Sequence, residues 1–207
     1  MSEKYKAILM MGAPGSGKGT HGKWLGNLLG FVHVASGDLF RALDKNSELG
    51  KIFVEYSGKG LLVPDDFTVR LWEDHMKRMV AAKKFNPATE TLVLDGIPRN
   101  VNQAKMMDPL IDVQKIIVIA VEHGLDEIVQ RMRLRAEKEG RHDDANEATI
   151  RNRFAVYQKE TKPVLDHYPA KLRVEVNGLQ GGPVPVAHDV ICALLGRTKE
   201  MKPLPKS

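Results

Sequence analysis

Residues 7–20 read AILMMGAPGSGKGT, and the stretch that follows, GKWLGNLL over 22–29, has helical spacing. A short apolar run that enters a glycine-rich loop and leaves it as a helix has the order of a phosphate-binding loop. Gly12, Gly15 and Gly17 let the backbone turn and approach a ligand closely, so that successive N–H groups and the helix N-terminus point at one phosphate group. Lys18 adds a cation among the phosphates. A glycine-rich turn that merely capped a helix would require neither the strand before it nor the lysine. One position departs from the general motif, which has Ser or Thr directly after the lysine: Gly19 stands there, and Thr20 follows one step later.

Outward from the loop, short apolar runs at Ala7–Met11, Phe31–Ala35, Thr91–Leu94, Lys115–Val121 and Leu172–Val176 alternate with amphipathic stretches. That alternation predicts an α/β fold, a parallel sheet with covering helices. The 207 residues, 43% of them apolar, suffice for one domain with excursions rather than two independent cores. A long excursion, Ser36–Glu90, starts with polar SGDLFRALDKNSELG and ends with the helix-like run Asp66–Lys83. Its first half, 36–65, reads as a small inserted subdomain. A second excursion, Glu137–Glu147, carries EKEGRHDDANE, has no core-forming capacity and reads as a mobile flap over 136–146, with a helix expected over Glu147–Tyr168. The tail 197–207 is expected to be a solvated end.

No apolar run approaches the ~20 residues of a membrane span, and Ala7–Met11 is too short for a secretory leader, so a cytoplasmic protein without a membrane partner is expected. The single cysteine, Cys192, excludes a disulfide within the chain and is expected to be a buried structural thiol in the apolar run Val186–Leu195. A net charge of +5 suits any polyanion, nucleotide or nucleic acid alike, so the placement of the arginines has to decide.

Beyond the loop, the chain carries ASGDLFR (Ala35–Arg41), LVPDD (Leu62–Asp66), LVLDGIPRNVNQA (Leu92–Ala104), GRHDD (Gly140–Asp144) and TIRNRF (Thr149–Phe154). Together with GAPGSGKGT these resemble the adenylate kinase group of nucleoside monophosphate kinases, whose loop has the same Gly after the lysine. The resemblance covers nearly the whole chain. It implies a five-stranded parallel sheet with a monophosphate-binding insert and a lid, a monomer, and reversible phosphoryl transfer between ATP and AMP, giving ADP, with Mg²⁺. It further implies that Gly12, Gly15, Ser16, Gly17, Lys18, Gly19 and Thr20 bind ATP, with Arg131 over the adenine and Arg135 on the phosphates. AMP would be held by Ser36, Arg41, Leu62, Val63, Gly96, Arg99 and Gln103, with Arg141 and Arg153 closing around the moving phosphoryl group. Lys18, Arg99, Arg135, Arg141 and Arg153 form the implied catalytic set, and Asp143 and Asp144 would orient the arginines of the lid.

The residue types fit those roles. Asp95 ends the strand TLVLD beside the loop, where one carboxylate is enough to organise Mg²⁺ through water. A Gln103 amide, donor on one side and acceptor on the other, suits the adenine edge. Arg131 and Arg135 lie four apart and share a helix face, whereas Arg133 points away and, with Arg151, reads as an ordinary exposed cation. Asp38 reads equally as a helix cap or as a ligand group. Phosphoryl transfer spreads charge over phosphate oxygens, which explains many cations and no nucleophile; His33, His75 and His142 are left without a role. Only five residues separate Arg135 from Arg141 and none is cysteine, so a short lid without zinc is expected.

Three rivals are weaker. A UMP/CMP kinase shares the Pro98-Arg99-Asn100 segment but tends to have alanine where Ser36 stands and asparagine where Gln103 stands. A guanine-nucleotide switch would carry an NKxD motif, which is absent. A nucleic-acid-binding module would interleave basic and aromatic residues, yet aromatics are only 6%.

Overall fold

The apolar run before the loop forms strand β1, Tyr5–Met11, and the other expected runs become β2 (Phe31–Ala35), β3 (Thr91–Asp95), β4 (Ile111–Ala120) and β5 (Arg173–Asn177). All neighbours pair in parallel, in the order β2-β3-β1-β4-β5. This computed structural model describes residues 4–121, 125–140 and 146–196. Residues 141–145 of the expected lid, among them Arg141, His142, Asp143 and Asp144, and the tail 197–207 lie outside the described residues.

The sheet is covered on both faces, as a parallel sheet must be, and the strands show it by period-two alternation. Ala7, Leu9, Met11, Leu92, Leu94, Ile116 and Val118 enter one core cluster; Ile8, Met10, Val93, Ile117 and Ile119 enter the other. The first face is covered by α4 (Asp65–Ala81), α5 (Val101–Met107) and α8 (Val164–His167), through Val69, Trp72, Met76, Ala104, Met107, Val164 and Leu165. The second is covered by α1 (Lys18–Gly26) and α9 (Pro183–Leu194), through Leu25, Val186, Val190 and Ala193. The helices that follow the adjacent strands β1 and β3 thus pack on opposite faces. A crevice opens at the carboxyl ends of those two strands, the place where such sheets bind ligands.

Between β2 and α4 the insert consists of α2 (Ser36–Arg41) and α3 (Glu48–Gly58), with Ser47 capping α3 by accepting from the N–H of Gly50 at 3.0 Å. A third small cluster, Ala13, Ile128, Val129, Met132 and Ile150, joins the loop to α6 (Leu125–Glu139) and α7 (Glu147–Val156).

Several expectations need correction. The helix read over Glu147–Tyr168 is interrupted: α7 ends at Val156, a π-helical turn spans Tyr157–Thr161, and α8 restarts after Pro163. Proline cannot donate to the preceding turn, and the chain widens before it. Strand β4 begins earlier than its apolar run, because Ile111, Asp112 and Val113 pair with Tyr5, Lys6 and Ala7 before a bulge that brings Lys115 opposite Ile8. Cys192 is only partly buried, its Sγ 3.7 Å from Nε2 of His188 one helical turn earlier, so it is not a core thiol. Ala35, not Asp38, occupies the N-cap of α2, and the Asp38 carboxylate pairs with Arg41 at 2.6 Å and Lys23 at 3.7 Å.

Candidate active site

The phosphate loop prepares the start of α1 for an anion. Its N-cap, Gly17, sits at φ +100° with no side-chain cap, and no acidic residue lies in the first turn. The first N–H groups of the helix are thereby left for a ligand. Gly12 is required by position as well as by conformation: at φ +142° a Cβ there would lie 2.5 Å from the carbonyl oxygen of Ile119 on β4. Lys18 Nζ donates to the carbonyls of Gly12 and Ala13, each at 2.8 Å, and so curls back over the loop. Its pKa is pushed down to about 8, first by loss of water, then by Arg99, Arg135 and Arg153, against the raising field of Asp95. Three of the expected catalytic arginines therefore sit within electrostatic reach of the lysine.

Asp95 ends β3 beside the loop. A Cβ on Gly19 would come 3.3 Å from its Oδ2, so the glycine that replaces the usual hydroxyl residue leaves room next to the carboxylate. His33 on β2 has Nε2 3.9 Å from the same oxygen, buried and without a hydrogen-bond partner; burial is the main cause lowering its pKa, which leaves it neutral at pH 7. Among the described residues no group of three or more His, Cys, Asp or Glu side chains gathers to hold a metal. The chemistry available to a cation is thus one carboxylate with open space beside it, which fits an ion that keeps its waters and takes its other ligands from phosphate.

The acceptor side is organised by the carbonyl of Gly96. It accepts from Ser36 Oγ at 2.6 Å and from Arg99 Nε at 2.8 Å, tying the end of β2 to the turn after β3. Asn100 caps α5 by accepting from the N–H of Gln103 at 2.7 Å, and Gln103 Oε1 accepts from the N–H of Arg99 at 2.7 Å. This is a capping box displaced by one residue. Gln103 Nε2 donates to Asp65 Oδ1 at 2.8 Å, so the amide is buried and held at both ends rather than solvated. The insert is fastened to α7 through its backbone: Thr149 Oγ1 donates to Gly58 O at 3.0 Å and Asn152 Nδ2 to Lys59 O at 2.6 Å.

These groups meet in one cavity of about 500 Å³. Gly12, Gly15, Gly17, Lys18, Gly19 and Thr20 of the loop line it, together with Ser36, Arg41, Leu62, Val63, Gly96, Arg99 and Gln103, and with Asp95, Arg131, Arg135 and Arg153. Of the expected site residues that are described, Ser16 alone does not line it. Its N–H donates to Ala13 O at 3.1 Å, and its Oγ is buried without a partner, because the loop folds over it. Arg133 and Arg151 face away and pair with Glu147 and Asp126. Sequence reading overlooked Asp65, which appears there only as part of LVPDD, one residue before the helix-like run Asp66–Lys83. It also overlooked Thr161, whose Oγ1 donates to Arg99 O at 2.7 Å from the π-helical turn. The spacing of Asn100 and Gln103, an N-cap residue and a Gln three later, was the available signal for the box.

The family model described as adenylate kinase matches residues 10–173. Among curated proteins, the chain is 37% identical to the adenylate kinase of Nocardia farcinica over 92% of this chain and 99% of that protein. It is 35% identical to the one from Corynebacterium urealyticum, over 90% and 98% of the two chains. The corresponding figures for the adenylate kinase of Streptomyces avermitilis are 34%, 86% and 91%.

Proposed function

The chain belongs to the adenylate kinase family, and on that premise we propose how its own residues carry the reaction. It is a nucleoside monophosphate kinase, a phosphotransferase catalysing ATP + AMP = 2 ADP. The observation that carries the assignment of roles is the one cavity that Lys18, Arg99, Gln103, Arg135 and Arg153 all line, with the three arginines within electrostatic reach of the lysine.

In this reading the N–H groups of Gly15–Thr20 and the ammonium of Lys18 take the donor phosphates. Lys18 exchanges two loop carbonyls for phosphate oxygens, which restores its full charge. Arg131 covers the donor base and Arg135 holds the donor phosphates. Arg41 and Arg99 grip the AMP phosphate, while Ser36, Leu62, Val63, Gly96 and Gln103 receive the adenosine. Arg153, with Arg141 from the lid, neutralises charge on the phosphoryl group in flight, and Asp143 and Asp144 orient the lid arginines. The acceptor is already an ionised phosphate, so no strong base is needed, and a ring of cations stabilises the transition state. Asp95 would hold Mg²⁺ through water, and the ion, when bound, would neutralise charge shared between the phosphates. Closure of the 36–65 insert and the 136–146 lid keeps water from competing as acceptor. A cytoplasmic monomer maintaining adenine-nucleotide balance completes the reading, supported by the family resemblance.

The test is a coupled assay of ADP formed from ATP with AMP, CMP, UMP or GMP, with and without magnesium. The expected result is Mg-dependent turnover with a clear preference for AMP. A preference for CMP or UMP would overturn the roles given to Ser36 and Gln103 and leave those of the phosphate loop.

A further inference from the structure

We propose that Asp65 is a positioning residue that fixes which way the Gln103 amide faces, and thereby makes the acceptor site select a 6-aminopurine over a 6-oxopurine. The proposal rests on the reading of the Gln103 end of the cavity as the acceptor-base site.

The two ends of the amide are held by groups with no choice of role. Asp65 Oδ1, a carboxylate oxygen, can only accept, and it lies 2.8 Å from Nε2. The N–H of Arg99 can only donate, and it lies 2.7 Å from Oε1. Turning the amide over would set oxygen against carboxylate and NH₂ against N–H, two contacts without a hydrogen bond at a residue only 1% exposed. Both ends therefore enforce the same orientation. Asp65 is itself anchored, at the start of α4, by Asn100 Nδ2 on Oδ1 and Asn102 Nδ2 on Oδ2, each at 2.8 Å. It stands behind Gln103 and is not among the residues that line the cavity.

What the locked amide has left is one lone pair on Oε1 and one hydrogen on Nε2, in a fixed order. The edge of adenine presents an amino hydrogen at position 6 and a lone pair at N1. The edge of hypoxanthine presents a carbonyl at position 6 and a hydrogen at N1, the reverse. An amide free to turn over would satisfy either edge; one fixed at both ends satisfies one. Gln103 supplies the polar groups; Asp65 and the Arg99 N–H together make their order selective, and Asp65 is the half of that lock that a side-chain substitution can change.

The test compares specificity constants for AMP and IMP, with ATP as donor, in the natural protein, Asp65→Asn and Asn102→Ala. IMP differs from AMP only at the edge in question. Asp65→Asn keeps the shape but can donate to a turned-over Oε1, so the AMP-to-IMP ratio is expected to fall by about tenfold. Asn102→Ala removes one anchor of Asp65 without changing what Gln103 faces, and its ratio is expected to stay within twofold of the natural protein. The ratio is taken on one preparation, so any loss of folded protein cancels. Should Asp65→Asn be inactive with both acceptors, calorimetric binding of AMP and IMP supplies the same ratio. A ratio for Asp65→Asn within threefold of the natural one, with both acceptors losing alike, would reduce Asp65 to a purely structural role and overturn the proposal. A natural protein that does not prefer AMP to IMP at all would instead overturn the base-site reading beneath it.

Discussion

The phosphate loop and the insert face each other across one cavity, yet different forces hold them. The loop continues the central strand of the sheet, and its glycine at position 12 is wedged against the Ile119 carbonyl so closely that no side chain fits. Behind it stand Met10 and Met11, both buried in the two core clusters. The insert has one buried aromatic, Phe40, stacked on Phe53 at 5.2 Å, while Val54 and Leu61 remain exposed. Its attachment to α7 is through hydrogen bonds from Thr149 and Asn152 to backbone carbonyls. The loop and Lys18, which are proposed to meet the donor phosphates, follow directly on the central strand of the sheet and have little freedom to move. The insert, which is proposed to admit a nucleotide and then close, is held to α7 by a few polar bonds, which water can replace at small cost.

Three changes probe that division. The largest effect belongs to the loop: Lys18→Ala is expected to lower kcat by roughly a thousandfold or more, with the circular dichroism spectrum unchanged. Near-normal turnover would remove the loop from the mechanism. Next comes the acceptor side, where Ser36→Ala combined with Gln103→Asn is expected to shift the ratio of specificity constants from AMP toward CMP or UMP by roughly tenfold to a hundredfold. Unchanged ratios would mean that neither side chain reads the base.

The smallest effect is one of pH. Lys18 has a pKa of about 8 in the unliganded protein, against 10.5 for a free lysine. The free enzyme therefore loses the ammonium above pH 8, and kcat/KM for ATP is expected to fall about fourfold between pH 7 and 8.5. Stability moves in the opposite sense. Between pH 8 and 10.5 the unfolded chain still holds this proton and the folded chain does not, so the contribution of Lys18 to folding becomes more favourable as pH rises. A pH profile of kcat/KM that stays flat to pH 10 would show that the site does not depress this lysine.

The parts of the fold built on repetition were readable without coordinates. Five apolar runs separated by helical spacing give the sheet, and GAPGSGKGT between a strand and a helix gives the loop. What escaped were features that depend on two distant segments meeting. Asp65 and Gln103 are 38 residues apart, and nothing in the local pattern of LVPDD says that its first carboxylate receives an amide from another helix. Strand β4 was read too short because Asp112 and Gln114 break its apolar run, although backbone pairing with β1 takes no account of side-chain polarity there. The interruption of the helix after Val156 was signalled by Pro163 alone. The motif names Ser16 without saying which way its side chain faces, and the loop turns its hydroxyl inward.

The most direct test of the division between a charge-bearing end and a base-reading end is the acceptor-resolved assay applied to Lys18→Ala. If the two ends work as described, the variant loses turnover with AMP and CMP by the same factor, and the ratio of their specificity constants stays at the natural value. A ratio that collapses along with the turnover would contradict the account, because it would mean that the phosphate loop and the base site are one device rather than two.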